Sequence, residues 1–361
     1  MKTIISSLAI ISLALLSCNH SNSNEKTAAK QESPINVIFM IGDGMGISQI
    51  TTMFYYKESE SQFNHFQEIG FINTSSATNK VTDSAAAGTA FATGQKTFNR
   101  GIGLDIDSLP LPSIVSILQQ RGYQTGLVSI SSVTHATPAS FYAQVVDRDM
   151  EETIAQQLVS ANIDFIAGGG LKFFNKRADG HNLLENLTAS RYIIDTLDIS
   201  PIENKSDKYA YIVADNGLPQ KHKGRGDFLK DATKQALTKL SASENGFFLM
   251  VEGSYIDWAG HARDEEFLIA EMLDFEDAMA VAIEFTKQNP NTLLIVTGDH
   301  ETGGVSVGKG NSKDEVKIYF NTDQHTADLV PVFAKGPGSD LFKGFYHNKD
   351  IYHKIIEALT E

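Results

Sequence analysis

The chain has 361 residues, of which 42% are hydrophobic and 20% are charged, a composition typical of a folded globular protein. Its formal net charge of -14 argues against a nucleic-acid partner, because a nucleic-acid-binding surface presents a basic face to the phosphate backbone. The charge does not exclude an anionic substrate, since metal ions and a few cationic side chains can create a local positive field.

The N-terminus has the layout of an export signal. Lys2 precedes an apolar run over residues 4–16, which is too short to predict a membrane span. The run ends in LLSC, which is similar to a bacterial lipobox and would make Cys18 a lipidated N-terminus; an ordinary secretory signal is the alternative. We expect an exported protein of the periplasm or cell envelope that contacts a membrane only through this lipid. The predicted segments are a signal peptide over 1–17, a flexible tether over 18–33 and a single domain over 34–361.

Short apolar runs alternate with helical patterns along the rest of the chain. Helical spacing is found over Ser113–Gly122 and Phe267–Gln288. This alternation predicts an α/β fold with a largely parallel sheet. The predicted strands are Ile35–Ile41, Gly126–Ile130, Phe247–Val251, Leu293–Thr297 and Leu329–Ala334.

Polar side chains follow four of these strands. In open α/β sheets, ligands bind beyond the carboxyl ends of the strands, so these side chains are expected to meet at one edge. Taken separately, Asp43 could merely cap the next helix, and Asp299-His300 could belong to an ordinary polar loop. The residues concerned are Asp43, His135, Thr137, Glu252, Asp299 and His300.

Two further histidines extend this set. Asp257 and His261 are four residues apart and would share one face of a helix, where the pair could bind one metal ion. His325 precedes the last predicted strand and, considered alone, is an ordinary loop histidine. Because Cys18 is the only cysteine, a metal site in the folded domain must use His, Asp, Glu or Thr.

Ser84 begins a run of small residues, SAAAG, that predicts a closely packed helix. At a helix N-terminus the backbone dipole stabilises negative charge, which suits a nucleophilic oxygen and a phosphoryl group. A serine that only caps the helix is the alternative. The chain lacks a convincing catalytic triad around Ser84, so activation of Ser84 by a metal fits better than activation by a histidine base. The basic residues of the segment Gly168–Gly226, which contains GGGLKFFNKR and KHKGRG, could flank the pocket, but we predict a solvated surface loop.

With these residues assembled, the sequence resembles the alkaline phosphatase family from residue 35 to 336. The resemblance implies a three-layer α/β/α fold and a phosphomonoesterase that binds small phosphate monoesters, uses two Zn²⁺ and one Mg²⁺, and forms a homodimer. The motifs that support it are IGDGMG (41–46), VTDSAAAGTAFATGQKT (81–97), THATPASFYA (134–143), MVEGSYIDWAGH (250–261), TGDHETGG (297–304) and HTADLVPVFAKGP (325–337).

The resemblance also implies a role for each matching residue. Ser84 matches the nucleophile that forms a phosphoserine intermediate, Arg148 matches the arginine that binds the substrate phosphate, and Asp83 would orient that arginine. The implied ligands are Asp257, His261 and His325 for the first zinc, Asp43, Asp299 and His300 for the second, and Asp43, Thr137 and Glu252 for magnesium.

His135 and Trp258 stand where enteric bacterial members carry aspartate and lysine, so here the chain is more similar to marine, cold-active members. His135 could favour zinc in the third site, and Trp258 could contact the phosphate-binding groups or only pack at the pocket rim. A related metal-dependent phosphodiesterase is the alternative activity. A phosphate-binding lipoprotein without activity would not require six metal ligands and a serine.

Overall fold

A computed structural model describes residues 35–360. The predicted signal peptide, the tether and the lipidation of Cys18 lie outside these residues. Within the described range, no helix has both the length and the apolar character needed to cross a bilayer.

Ten strands between residues 35 and 360 form one sheet, and four more form two small pairs. Apolar and β-branched residues dominate the longer strands, which are buried along most of their length. The strands are β1 (Asn36–Gly42), β2 (Glu68–Asn73), β3 (Gln124–Ser132), β4 (Phe165–Gly169), β5 (Tyr192–Asp195), β6 (Lys208–Ile212), β7 (Phe247–Gly253), β8 (Thr292–Gly298), β9 (Glu301–Thr302), β10 (Val305–Lys309), β11 (Val316–Phe320), β12 (His325–Thr326), β13 (Val330–Lys335) and β14 (Gly344–His347).

The helices connect these strands, and their ends follow local sequence signals. Ser113 and Asp264, for example, cap the two helices predicted from spacing. The α-helices are α1 (Ile47–Tyr56), α2 (Ser84–Thr93), α3 (Ile114–Gln120), α4 (Ala136–Ala139), α5 (Glu151–Ser160), α6 (Lys172–Asn175), α7 (Leu183–Ala189), α8 (Phe228–Leu240), α9 (Tyr255–Ala262), α10 (Glu265–Gln288) and α11 (Asp350–Ala358). Short 3₁₀ helices span Gln62–His65, Lys221–Lys223 and Ser339–Phe342.

The large sheet has the strand order β14-β2-β13-β8-β1-β7-β3-β4-β6-β5. All neighbouring pairs are parallel except those of β13, which runs antiparallel to both β2 and β8. β1 lies in the middle, between β7 and β8. The carboxyl ends of β1, β3, β7 and β8 therefore lie side by side at one edge of the sheet.

Helices cover both faces of the sheet. Alternate residues of β1 enter two separate cores: Val37 and Phe39 pack with α2, α3, α5, α7 and α11 on one face, and Ile38 and Met40 pack with α1, α8, α9 and α10 on the other. This period-two division between two helical layers confirms the three-layer α/β/α architecture.

The prediction of a solvated loop over Gly168–Gly226 is wrong. The segment contains the end of β4, helices α6 and α7, and strands β5 and β6. Arg225, within KHKGRGD, is only 8% exposed. A polar, glycine-rich stretch looks like a loop when its ion-pair partners are distant in sequence, as the partners of Arg225 are in α10.

Candidate active site

Four neighbouring strands deliver polar side chains to the carboxyl edge of the sheet. Asp43 follows β1, Glu252 lies near the end of β7, and Asp299 and His300 follow β8, and all four residues are buried. His135 and Thr137 lie where β3 passes into α4. Local sequence alone predicted these positions, because a buried apolar strand followed by a glycine-rich polar turn is recognisable without tertiary information.

The site residues form three groups whose potential metal-ligating atoms lie within 4.8 Å of one another. Asp43 belongs to two of the groups, so the second and third groups are adjacent. The first group is Asp257, His261 and His325, the second is Asp43, Asp299 and His300, and the third is Asp43, His135 and Glu252.

The first group combines a helix with a small β-pair. Asp257 and His261 occupy successive turns of α9, and His261 Nε2 lies 3.3 Å from Asp257 Oδ1. His325 in β12 pairs with Thr302 in β9, which brings its Nε2 to 3.4 Å from the same Asp257 oxygen and 3.1 Å from His261 Nε2. Three potential ligand atoms therefore converge on one point.

In His261, His325 and His300, the Nδ1 atom, which is not the nitrogen directed at the group, already has a hydrogen-bond partner. Nδ1 of His261 donates to the Asp323 carbonyl at 2.6 Å, and Nδ1 of His325 donates to the Thr82 carbonyl at 2.9 Å. His300 Nδ1 lies 3.2 Å from the Thr302 hydroxyl. Metal-binding histidines in proteins are oriented in this way, which leaves Nε2 with its lone pair directed at the ion.

The second group surrounds His300. Its Nε2 lies 3.3 Å from Asp299 Oδ2, 3.5 Å from Asp43 Oδ1 and 3.3 Å from the Ser84 hydroxyl. The backbone N–H of Gly44 donates to Asp299 Oδ1 at 3.0 Å and holds that carboxylate in place.

In the third group, Glu252 Oε2 accepts a hydrogen bond from the Ser129 hydroxyl at 2.6 Å. Several other buried atoms of the site find no hydrogen-bond partner in residues 35–360. An unpaired buried polar atom is costly, and divalent cations are the partners that carboxylate and hydroxyl oxygens in such clusters accept. The donor set therefore fits bound metal ions. The buried atoms without a hydrogen-bond partner are Asp43 Oδ1 and Oδ2, Asp299 Oδ2, Glu252 Oε1, Thr137 Oγ1 and His135 Nδ1.

Burial determines the protonation of the second group. It raises the pKa of Asp43 well above its usual range, and the charges of Asp299 and Asp257 add to this rise. Burial also raises the pKa of Asp299 to about 7 and lowers the pKa of His300 well below its ordinary value. Without a cation, the cluster therefore tends to hold protons on carboxylates and none on His300.

In the first group, ion pairing outweighs burial. Burial disfavours the charged form of Asp257, but hydrogen bonds with His261 and His325 hold the pKa of this carboxyl well below its usual range. The same hydrogen bond with Asp257 raises the pKa of His261 to about 9. A metal ion entering this group must therefore displace a proton from His261.

Ser84 is the first residue of α2, and Asp83 caps the helix by accepting a hydrogen bond from the Ala86 N–H at 3.1 Å. The other Asp83 oxygen accepts from Arg148 Nη1 at 3.2 Å. Arg148 Nη2 lies 3.2 Å from His135 Nε2. The serine hydroxyl, a helix N-terminus and an oriented guanidinium thus lie beside the carboxylate–imidazole groups, as an enzyme acting on phosphate esters would need.

Trp258 is 38% exposed and has neighbours on two sides. Its ring stacks on Tyr255 with centroids 4.1 Å apart and meets the edge of His135 at 6.2 Å. It therefore both packs at the rim and contacts a neighbour of Arg148.

Comparisons with known proteins identify the family. Residues 35–317 match the sequence model described as alkaline phosphatase. The chain belongs to the alkaline phosphatase family. It is therefore a phosphoric monoester hydrolase of a metal-dependent family, as the sequence motifs predicted.

Individual relatives agree with this assignment. Alkaline phosphatase 3 of Bacillus subtilis (strain 168) is 38% identical over 362 residues, which cover 94% of this chain and 76% of that protein. The structure of alkaline phosphatase from the Antarctic bacterium TAB5 has a TM-score of 0.88 at 44% identity and covers 91% of this chain and 98% of that one. The cold-active alkaline phosphatase of the psychrophile Shewanella sp. has a TM-score of 0.82 at 29% identity, with coverage of 91% and 100%.

Sequence reasoning missed one side chain at the centre of this alkaline phosphatase site. The Thr302 hydroxyl donates to Asp257 Oδ1 at 2.5 Å and also lies next to His300, so it links the first and second groups. Its position two residues after His300 in TGDHETGG was the available signal. A threonine in such a turn is usually only a local hydrogen-bonding residue, and its contact with α9 depends on the tertiary fold.

Proposed function

We propose that Ser84 is the nucleophile of phosphate monoester hydrolysis and that Arg148 binds the substrate phosphate. The observation that carries this proposal is the position of the buried Ser84 hydroxyl. It lies at the N-terminus of α2, 3.3 Å from His300 Nε2, while the preceding residue, Asp83, holds Arg148.

The reaction proceeds in two displacements at phosphorus. Ser84 Oγ loses its proton and forms a bond to phosphorus as the ester P–O bond breaks, and the leaving alkoxide takes up a proton, which releases the alcohol and leaves a phosphoserine. Water then attacks phosphorus, the Oγ–P bond breaks, and inorganic phosphate leaves with the serine hydroxyl restored. The N–H groups at the start of α2 stabilise the negative charge on the phosphoryl oxygens.

Arg148 compensates charge on the non-bridging oxygens of the phosphoryl group. A guanidinium can donate two parallel hydrogen bonds to such oxygens, and Asp83 and His135 limit its rotation before the substrate arrives. Preorganised charge of this kind needs little rearrangement during the reaction, which is why it lowers the barrier.

The metal assignment follows from the donor atoms. We assign Zn²⁺ to Asp257, His261 and His325 and a second Zn²⁺ to Asp43, Asp299 and His300, because zinc accepts imidazole and carboxylate ligands. When bound, these ions would supply positive charge that stabilises the reacting oxygens of serine, substrate and water.

We assign Mg²⁺ to Asp43, Thr137 and Glu252, because three oxygen donors suit a hard cation. His135 offers an imidazole to the same group, which would favour zinc there instead. Zinc binding would replace the hydrogen bond that His135 Nε2 accepts from Arg148, because a neutral imidazole has only one unprotonated nitrogen. A variant of the TAB5 alkaline phosphatase has been solved with magnesium in a site called M3. Metal analysis of this protein, purified with both ions present, distinguishes the two assignments.

Export, lipidation and dimerisation are also proposed. The N-terminal sequence supports export to the cell envelope with a lipid on Cys18, and the family resemblance supports a homodimer. Incorporation of a labelled fatty acid into the wild type but not into Cys18→Ala tests lipidation, light scattering of the purified protein tests dimerisation, and recovery of activity in the cell-envelope fraction tests export.

The central test compares Ser84→Ala with the wild type in two assays, hydrolysis of an aryl phosphate and metal content. We expect the variant to lose nearly all turnover and to keep its bound metal, because Ser84 reacts with phosphorus while the carboxylates and imidazoles remain. Wild-type turnover by the variant would contradict the assignment of the nucleophile. An aryl phosphodiester measured in parallel separates monoesterase from diesterase activity.

A further inference from the structure

Arg225 is a buried cation outside the proposed active site. It lies in KHKGRGD, and its guanidinium contacts two buried carboxylates of α10. Nη1 donates to Glu271 Oε1 at 3.2 Å, and Nη2 donates to Asp274 Oδ2 at 2.8 Å as well as to Glu271 Oε2. Such a paired, desolvated cluster keeps a fixed geometry, because breaking any one contact leaves a buried charge without its partner.

The Arg225 guanidinium lies over the Tyr255 ring, 5.5 Å from its centroid. The Tyr255 hydroxyl donates to the Leu218 carbonyl at 2.8 Å. Gly217 leaves room for that hydroxyl, because a Cβ at this position would lie 2.1 Å from it. Tyr255 is thus held from two directions and is 1% exposed.

From Tyr255 the contacts continue to the phosphate-binding arginine. Tyr255 stacks on Trp258 with the ring planes 21° apart, and Trp258 meets the His135 ring at 75°. His135 Nε2 in turn lies 3.2 Å from Arg148 Nη2. Every step is a direct contact between aromatic rings or a hydrogen bond, so displacement of Tyr255 would be transmitted to Arg148 through only two side chains.

We propose that Tyr255 is a positioning residue for phosphate binding, which holds Trp258 against His135 and thereby limits the orientation of Arg148. This inference rests on the proposed role of Arg148. It assigns Tyr255 no contact with substrate or metal. The buried cluster of Arg225, Glu271 and Asp274 packs against the Tyr255 ring and keeps it in place.

Tyr255→Leu removes the stack, and Tyr255→Phe is the matched control that keeps the ring and loses only the hydroxyl. The measured quantity is the inhibition constant of inorganic phosphate, which reports binding independently of turnover. We expect Tyr255→Leu to raise the inhibition constant about three- to tenfold, which is the range for loss of one aromatic contact. Tyr255→Phe should change the inhibition constant less than about twofold. An unchanged constant in Tyr255→Leu would overturn the proposal.

A double-mutant cycle separates positioning from a general loss of structure. If Tyr255 acts through Trp258, Tyr255→Leu has no further effect on phosphate inhibition in a Trp258→Ala background. An equal effect in both backgrounds would show that Tyr255 acts by another route and would refute the inference. Arg148→Ala distinguishes the two proposals, because unchanged phosphate inhibition in that variant would refute the role of Arg148 itself.

The wild-type protein provides a test that does not depend on the folding of any variant. Trp258 is the only tryptophan of the chain, so its fluorescence reports this contact directly. We expect inorganic phosphate to change the Trp258 emission saturably, with a dissociation constant equal to the inhibition constant. Emission that does not respond to saturating phosphate would contradict coupling between Trp258 and Arg148.

Discussion

Replacing Gly44 by alanine tests how closely the turn after β1 approaches the first metal-binding group. Gly44 has a φ of 75°, a left-handed conformation that residues with a Cβ seldom adopt. A Cβ at this position would lie 2.6 Å from Asp257 Cα and 2.9 Å from the Thr302 hydroxyl oxygen. The substitution therefore imposes both backbone strain and a collision with the backbone that carries Asp257.

The two effects can be estimated separately. The left-handed conformation costs a residue with a Cβ about 1–2 kcal/mol, and overpacking a rigid interior costs about 1–3 kcal/mol more. Gly44→Ala should therefore lower the free energy of unfolding by about 2–5 kcal/mol. The collision should also displace Asp257, because the clashing atom belongs to the backbone and cannot rotate away.

Gly180 is the matched control. Its φ of 72° is nearly the same as that of Gly44, but a Cβ there would meet nothing within 4 Å. Gly180→Ala should cost only the backbone contribution, about 1–2 kcal/mol, and should leave metal content unchanged. Urea unfolding of the metal-free proteins measures the energies, and elemental analysis after reconstitution measures the metal. Equal destabilisation and equal metal content in the two variants would refute the close approach of Gly44 to Asp257.

Three further predictions concern the phosphate and metal sites. Arg148→Lys keeps the charge but loses the paired hydrogen bonds, so the inhibition constant of phosphate should rise roughly 10- to 100-fold. The metal content should not change. An unchanged inhibition constant would contradict bidentate binding. Chelation should abolish activity, and zinc with magnesium should restore it. The metal-free protein should be less stable to urea by about 3 kcal/mol for each ion that is present at a hundredfold excess over its dissociation constant. Full activity after exhaustive chelation would refute metal dependence. The raised pKa of His261, about 9, means that metal must displace its proton at neutral pH. Zinc affinity measured by calorimetry should therefore increase with pH up to about 9 and level off above it, and a pH-independent affinity would contradict this proton release.

Local patterns in the sequence were sufficient for much of the fold. The apolar runs predicted β1, β3, β7, β8 and β13 because strands buried on both faces read as continuous apolar stretches. The four-residue spacing predicts that Asp257 and His261 share one face of a helix, and both residues lie in α9. The α2 helix starts at Ser84, as its run of small residues predicted.

The position of His325 could not be predicted from local patterns. It precedes β13, so in a parallel strand it would lie at the amino edge of the sheet, away from Asp43 and Asp299. β13 instead runs antiparallel to β8, with Val332 opposite Thr297, and its beginning therefore lies at the carboxyl edge of the parallel strands. The sequence motif indicated that His325 is important, but only the pairing direction explains how it reaches Asp257.

The sequence by itself determined which residue types are present, which of them follow strands and which share a helix face, because those properties depend on neighbours a few positions apart. The tertiary structure decided the direction of β13, the link from Thr302 to Asp257, and the burial of Arg225 behind Tyr255. These features depend on contacts between segments that are far apart in the chain, and the free energy of such contacts comes from packing and desolvation, which no local pattern records.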